Sequence, residues 1–284
     1  MLLRRFLGFL GSFRIVVRIL GLNPKNFWKL SNLDRIIYYR TQPINKMLAY
    51  SKLPDGCIAI HFWDSLPTLD LIYFPGIYDK FRKIEEKDTV IDCGAHVGIF
   101  TLKAAKKAKH GLVVAVEPEP LNYRILKSNV KRNRLTNVIT VRNVLTDKKS
   151  GGVKLYLHPF FSEAPSLNIN STNETKKFAR YIIVQSTTLD DIAKAYEIDC
   201  VDVVKIAVNS TEIGVIKGGQ RLLQESKYLA IEYDRKPGRV KELTDLLLEQ
   251  GFKKVFQEDR LRTHMGFIFF ERCQCASSSA PNLR

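Results

Sequence analysis

Residues 89–100 read Thr-Val-Ile-Asp-Cys-Gly-Ala-His-Val-Gly-Ile-Phe, and after a helix-like stretch residues 112–118 read Leu-Val-Val-Ala-Val-Glu-Pro. An apolar run ending in Asp92, glycines at 94 and 98 that open a helix, and a second apolar run tipped by Glu117 make up a βαβ unit. Its ligand site lies at the carboxyl edge. Gly94 is expected to let the main chain pass where a Cβ would collide with a ligand. The helix from Gly98 points its free N–H groups at the same place, and Glu117 is placed to accept hydrogen bonds from ribose hydroxyls. The spacing is Gly-x-x-x-Gly, not the Gly-x-Gly-x-x-Gly of pyrophosphate binders, and His96 occupies the stretch where a diphosphate needs room. An S-adenosyl cofactor has no phosphate and tolerates the bulkier loop. The expected cofactor-binding residues are Asp92, Gly94, His96, Gly98, Glu117 and, at the end of a third apolar strand (138–143), Asn143. The plain alternative is a glycine pair that only ends a strand tightly.

From residue 88 onward the patterning alternates. Strands are predicted at 89–93, 112–117, 138–143, 202–208 and 228–233, with helices near 98–109, 121–133, 189–196, 212–223 and 239–250 between or after them. Two β-like runs, 153–158 and 181–187, form an insertion, and two last runs, 253–257 and 266–270, pair antiparallel. This is an α/β fold with a doubly wound, mostly parallel sheet and a terminal antiparallel strand pair. Dinucleotide-binding sheets are usually parallel throughout, so the reversed ending also favours the S-adenosylmethionine reading. The expected parts are a basic amphipathic helix at 1–22, a Pro-punctuated cap or lobe at 23–86, the cofactor domain at 87–272 and a disordered tail at 273–284.

The chain of 284 residues has a net charge of +16, and residues 1–55 hold ten Lys or Arg against two acids. Such a bias points to an anionic neighbour, lipid or nucleic acid. Residues 2–20 are apolar but interrupted by four arginines, which excludes an easy membrane span. No small-residue cleavage site follows. An amphipathic helix in a membrane interface is the favoured reading; a helix docked on the cap is the alternative. Five cysteines at scattered spacings give neither a disulfide framework nor a zinc site, which fits a reducing, cytoplasmic setting, peripheral at the membrane. No metal-ligand spacing is present. Nucleic acid is disfavoured as substrate: the chain has no Asn/Asp-Pro-Pro-aromatic motif and no Pro-Cys nucleophile, and Lys103, Lys106, Lys107 and Lys109 read as a solvated helix face.

Several short segments in order resemble the FkbM family of S-adenosylmethionine-dependent methyltransferases over about 88–233. They are 90–101, Ala-Val-Glu-Pro at 115–118, Asn137-Val138, Ser166-Leu167, Thr-Leu-Asp-Asp at 188–191, Asp-Val-Val-Lys-Ile at 202–206, Glu212, Val-Ile-Lys-Gly at 215–218 and Ile231-Glu232. The resemblance implies a class I methyltransferase (Rossmann-like) fold and methyl transfer to an oxygen of a sugar, glycan, lipid-linked molecule or small metabolite. One departure stands out. Where the family usually reads Lys-Ile-Asp-Val-Glu-Gly-Ala-Glu, residues 205–212 read Lys-Ile-Ala-Val-Asn-Ser-Thr-Glu. Ala207 and Asn209 thus lack two carboxylates at the strand end that faces the methyl group and substrate. Asp234 stands where the family often has histidine. The remaining candidates for a general base are Glu212, Glu232 and Asp234, each with a plain alternative as a cap or loop ligand. A catalytically degenerate cofactor-binding relative is the competing reading.

Overall fold

The computed structural model describes residues 48–74, 76–158, 162–163, 165–167, 180–235, 238–259 and 265–272. The expected helix at 1–22, the start of the lobe, His264, Cys273, Cys275 and the tail at 273–284 lie outside the described residues.

Seven strands form the central sheet: β3 (Thr89–Cys93), β4 (Leu112–Val116), β5 (Val138–Val141), β9 (Val201–Ile206), β10 (Ser226–Asp234), β11 (Phe252–Asp259) and β12 (Met265–Arg272). Their order is β11-β12-β10-β9-β3-β4-β5. β12 runs antiparallel to both its neighbours, whereas β10, β9, β3, β4 and β5 pair in parallel. The inner strands are apolar on both faces because helices cover both, as parallel sheets require. Alternation sends Val90, Val113 and Val203 to one face, against Phe100, Leu102, Phe267 and Phe269. Ile91, Val114, Val204 and Ile206 face the other side with Leu189, Ile216, Leu223 and Leu247. Each such fully buried side chain contributes roughly 1.5–3 kcal/mol of transfer free energy.

The first face carries α2 (Ile99–Lys107) and α3 (Pro120–Arg132); the second carries α4 (Leu189–Ala195), α5 (Glu212–Lys217), α6 (Gln220–Gln224) and α7 (Arg239–Glu249). The expected single helix over 212–223 is broken into α5 and α6. A Cβ at Gly218 would lie 2.2 Å from the Thr146 carbonyl oxygen, and one at Gly219 2.8 Å from Leu189. The two glycines let this turn sit directly on its neighbours, and the helix stops there. The expected strand 138–143 ends at Val141.

The described part of 23–86 shares the hydrophobic core with the sheet: Ala59, Phe62, Leu69, Ile72 and Tyr78 belong to the same buried cluster as Val90 and Leu102. It contains the hairpin β1 (Leu48–Lys52) and β2 (Ile58–Phe62) and the helix α1 (Leu66–Tyr73). Two asparagines, Asn129 of α3 and Asn133 at its C-terminal cap, satisfy the free edge of β2. The Asn129 amide accepts from Ile60 N at 2.7 Å and donates to Ile60 O at 2.7 Å, and Asn133 repeats the pair on Ile58 at 2.8 and 2.8 Å. Four helical residues rise about 6 Å and two strand residues about 6.7 Å, so the two repeats match. The insertion forms a small sheet of order β6-β8-β7, from β6 (Val144–Leu145), β7 (Gly152–Leu157) and β8 (Arg180–Thr187).

Lys103 differs from its expected place on a solvated face. It is 8% exposed, pairs with Asp79 at 2.8 Å and donates to the Ile72 carbonyl at 2.8 Å. Lys106, Lys107 and Lys109 are exposed as expected. Among the described residues no helix is long and apolar enough to cross a membrane.

Candidate functional site

β3 is the strand at which the order reverses, with β4 on one side and β9 on the other. The crevice beyond the carboxyl ends at such a switch point is where open α/β sheets bind ligands. Register brings Cys93 beside Val116 and Ile206, so the three strands end level. The loops that leave them are stitched together by main chain: Gly94 N and Ala95 N donate to Val116 O, and Ala207 N donates to Cys93 O. Above this edge lies a cleft of roughly 540 Å³ including its open mouth. Gly94, His96 and Glu117 line it, with Asn122 and Asn143, the apolar Val144, Leu145 and Leu155, and Glu163, Ala207 and Asn209. The insertion supplies one wall of it.

Of the residues expected to bind cofactor, Gly94, His96, Glu117 and Asn143 line the cleft and Asp92 and Gly98 do not. Asp92 is fully buried beneath the loop, accepting from Lys205 Nζ at 2.9 Å and Thr101 Oγ1 at 2.6 Å. Lys205 also donates to Gly94 O at 2.7 Å. The Asp92–Lys205 pair therefore holds the loop's main chain from below. The expectation for Gly94 also changes. Its φ is +77°, and a Cβ there would lie 2.0 Å from the Ala207 carbonyl oxygen. The missing side chain makes room for the end of β9 and not first for a ligand. Gly98 (φ +88°) likewise clears Leu126 Cδ1, which a Cβ would approach to 2.5 Å.

Glu117 is 4% exposed. One carboxylate oxygen accepts from His96 N at 2.8 Å; the other accepts from Glu119 N at 3.0 Å and Asn122 Nδ2 at 3.4 Å. Burial pushes its carboxyl up to about 7, against the pull of those N–H donors. A carboxylate has about four lone-pair sites, so acceptor capacity remains toward the cleft. His96, at φ +52°, is pushed down to about 3 by burial and by Lys205 and His61, and it is neutral.

A directed hydrogen-bond chain continues from His96. The Ser162 hydroxyl donates to Asp64 Oδ1 at 2.8 Å, and the Ser162 N–H donates to Asp64 Oδ2 at 2.6 Å. With its one hydrogen spent, Ser162 Oγ accepts from His96 Nε2 at 3.1 Å. That leaves His96 Nδ1 as a bare lone pair, 3.8 Å from Glu163 Oε1. Glu163 Oε2 accepts from Thr68 at 2.8 Å.

The three expected bases stand away from the cleft wall. Glu212 is fully buried, accepts from Ser210 N at 2.8 Å and pairs with Arg239 at 3.0 Å, while Arg239 also donates to Ser210 O. Asp234 accepts from Ser210 Oγ at 3.1 Å, and Glu232 from the Tyr78 hydroxyl at 3.0 Å. Glu212 and Asp234 brace the loop after β9. The residues that the patterning missed on the cleft wall are Asn122 and Glu163, and behind them Asp64, Thr68 and Ser162. Asn122 is the third residue of a Pro-started helix, and only its spacing from Glu117 hinted at a role. Among the described residues no group of three or more His, Cys, Asp and Glu is placed to hold a metal ion.

Comparison with known proteins now bears on this geometry. Methyltransferase sdnD of Sordaria araneosa is 21% identical over 215 residues, 67% of this chain and 75% of that protein. The tRNA(Phe) (4-demethylwyosine(37)-C(7)) aminocarboxypropyltransferase of Methanocaldococcus jannaschii is 43% identical over only 56 residues. The chain covers about a fifth (22%) of the length of that curated relative. Among solved structures, methyltransferase FkbM of Methylobacillus flagellatus KT aligns with a TM-score of 0.50 and 14% identity, over 84% of this chain and 60% of that one, a likeness of fold. The Methyltransferase FkbM domain itself matches residues 92–254, more than half of the chain, from the buried Asp92 to β11. With the reversed β12 and the switch-point cleft in place, the chain belongs to the FkbM family of class I methyltransferases, whose methyl donor is S-adenosylmethionine.

Proposed function

We propose that the chain methylates a hydroxyl oxygen of a sugar, glycan, lipid-linked molecule or small metabolite. The observation that carries this reading is the lining of the cleft at the end of β9. Asn209, Ser166, Thr211 and Glu163 stand there, and among the described lining residues there is no Lys or Arg. Such a wall suits a neutral polyhydroxyl acceptor and offers nothing to neutralise a phosphodiester backbone. The likeness to a tRNA-modifying enzyme spans 56 residues and adds no basic groove to this wall.

The same cleft suits the methyl donor. Glu117 would hold the ribose hydroxyls, the apolar Val144, Leu145 and Leu155 would shelter the adenine, and the Gly94–His96 loop would lie along the amino-acid part. S-adenosylmethionine supplies an electrophilic methyl group; the residues of the chain bind it, orient the acceptor and exclude water, and positioning of this kind is a large source of rate. Incubating the protein with methyl-labelled S-adenosylmethionine and, separately, metabolite, lipid and nucleic-acid extracts tests the reading. It expects label as a methyl ether; label in nucleic acid only, or none with any extract, contradicts it.

Ala207 and Asn209 support a second reading, a relative that binds the cofactor without transferring its methyl group. That reading expects transfer only after Ala207→Asp and Asn209→Glu are introduced, and turnover by the native chain removes it. The arginine-bearing segment 1–22 is proposed to hold the enzyme, as an amphipathic helix, on an anionic cytoplasmic membrane surface. Co-sedimentation with phosphatidylserine vesicles, lost on deleting 1–22, tests this.

A further inference from the structure

We infer that Glu163 is the general base of the reaction, giving the cleft the carboxylate that Ala207 and Asn209 do not. This rests on the reading that the acceptor is a hydroxyl. Three observations on independent elements support it. First, Glu163 lines the same cleft as Gly94, Glu117, Ala207 and Asn209. Second, its Oε1 is out of contact with water and has no hydrogen-bond donor among the described residues, although Oε2 is anchored by Thr68 of α1. His96 Nδ1 lies 3.8 Å from Oε1, and the Asp64–Ser162–His96 chain leaves that nitrogen without a hydrogen. The side chain as a whole is 31% exposed on the cleft wall, so a carboxylate oxygen with an unmet acceptor site needs only a small side-chain rotation to meet a ligand hydroxyl and take its proton.

Third, the altered position Asn209 holds Glu163 in place. Its side-chain amide donates to Glu163 O at 2.7 Å and to Pro165 O at 3.2 Å. A glutamate at 209 has no hydrogen to give to those carbonyls. The departure at 209 is thus read as an exchange: a carboxylate leaves the loop after β9, and the amide that replaces it fixes a carboxylate from the insertion.

In the step itself, the acceptor hydroxyl gives its proton to Glu163 Oε1 as its oxygen forms the new C–O bond. The S–CH₃ bond breaks with its electron pair kept by sulfur, and the proton later leaves Glu163 for solvent. The groups facing Glu163 are Asp64, Thr68, His96, Lys205 and Glu232. Burial, with Asp64 and Glu232, pushes the carboxyl up to about 8, and Thr68 and Lys205 oppose this. The base form therefore accumulates as pH rises through about 8, and a cationic sulfonium in the same cleft favours it.

The test uses the full chain carrying side-chain ¹³C-labelled glutamate. The carboxyl resonance absent from Glu163→Gln is expected to titrate near 8 without cofactor and to move lower with S-adenosylmethionine than with neutral S-adenosylhomocysteine. In turnover, Glu163→Gln lowers kcat by about 10²–10⁴-fold and leaves S-adenosylhomocysteine affinity within about threefold. Asn209→Asp, which keeps the Glu163 carboxyl but loses the donating amide, lowers kcat in the same direction and serves if Glu163→Gln does not fold. A Glu163 resonance that titrates between 4 and 5 regardless of ligand, or a kcat within threefold of native in either variant, overturns the assignment. A native protein that binds cofactor and methylates no hydroxyl overturns the function reading and takes this assignment with it, even where Glu163 titrates near 8.

Discussion

Glu117→Gln changes stability by an amount that depends on pH and weakens binding at every pH. In the folded chain the Glu117 carboxyl is pushed from 4.5 up to about 7 by burial. The fold therefore favours the neutral acid. The stability this contributes is complete below 4.5 and is lost as pH rises through about 7, and the displacement corresponds to on the order of 3 kcal/mol. Glutamine stays neutral at every pH and removes that slope. It also has one accepting oxygen where the carboxyl has two, so either His96 N–H or Glu119 N–H loses its partner, at about 1–3 kcal/mol. The variant should be less stable than native at pH 5, and the gap should close or reverse by pH 8. The later slope from Glu163 remains in both proteins. Binding moves only one way: losing a charged acceptor for the ribose hydroxyls weakens S-adenosylhomocysteine by about 10–100-fold. Thermal unfolding between pH 5 and 8, at about 2–4 °C per kcal/mol for a domain of this size, reads the first effect, and titration calorimetry reads the second. Parallel pH slopes in the two proteins, or affinities within threefold, refute the reasoning.

Three further perturbations test the architecture beneath the cleft. Lys205→Met leaves the Asp92 carboxylate buried without its cation and should cost about 3–5 kcal/mol; adding Asp92→Asn should recover part of it, and equal losses in the single and double variants by urea unfolding contradict the pairing. Gly94→Ala should lower the melting temperature of the ligand-free protein, because the new Cβ meets the Ala207 carbonyl; an unchanged melting temperature with weakened binding restores the expectation that the glycine clears a ligand. Asn129→Ala strips partners from Ile60 N, Ile60 O and Val97 O, and should cost about 3 kcal/mol or more with loss of amide protection at Ile60; native-like exchange there contradicts the asparagine edge.

The sheet was legible because its inner strands are apolar on both faces, so a run such as Val90-Ile91 or Val113-Val114 has no alternative to burial. Glu117 was legible because it ends such a strand. The cleft's other wall was not. Asp64 lies in the turn after β2, and its partner Ser162, next to Glu163, lies in the insertion 98 residues downstream. No periodicity links segments that meet only through tertiary packing. Lys103 was misread for the same reason: its spacing with Lys106 and Lys107 is that of a solvated face, and only the approach of Asp79 turns it inward. Glu212 and Asp234 sit at the correct edge of the sheet, yet Arg239 and Ser210 occupy them as braces. A strand's carboxyl end locates a site; which of its acids face the ligand depends on loop conformation, here the left-handed Asn209 and Ser210.

The crystal structure of the full chain with S-adenosylhomocysteine tests the account most directly. The ribose hydroxyls should lie within hydrogen-bond distance of Glu117, with the sulfur directed toward the Ala207–Asn209 loop. Density for the ligand elsewhere on the molecule, or a ribose held without Glu117, would contradict it.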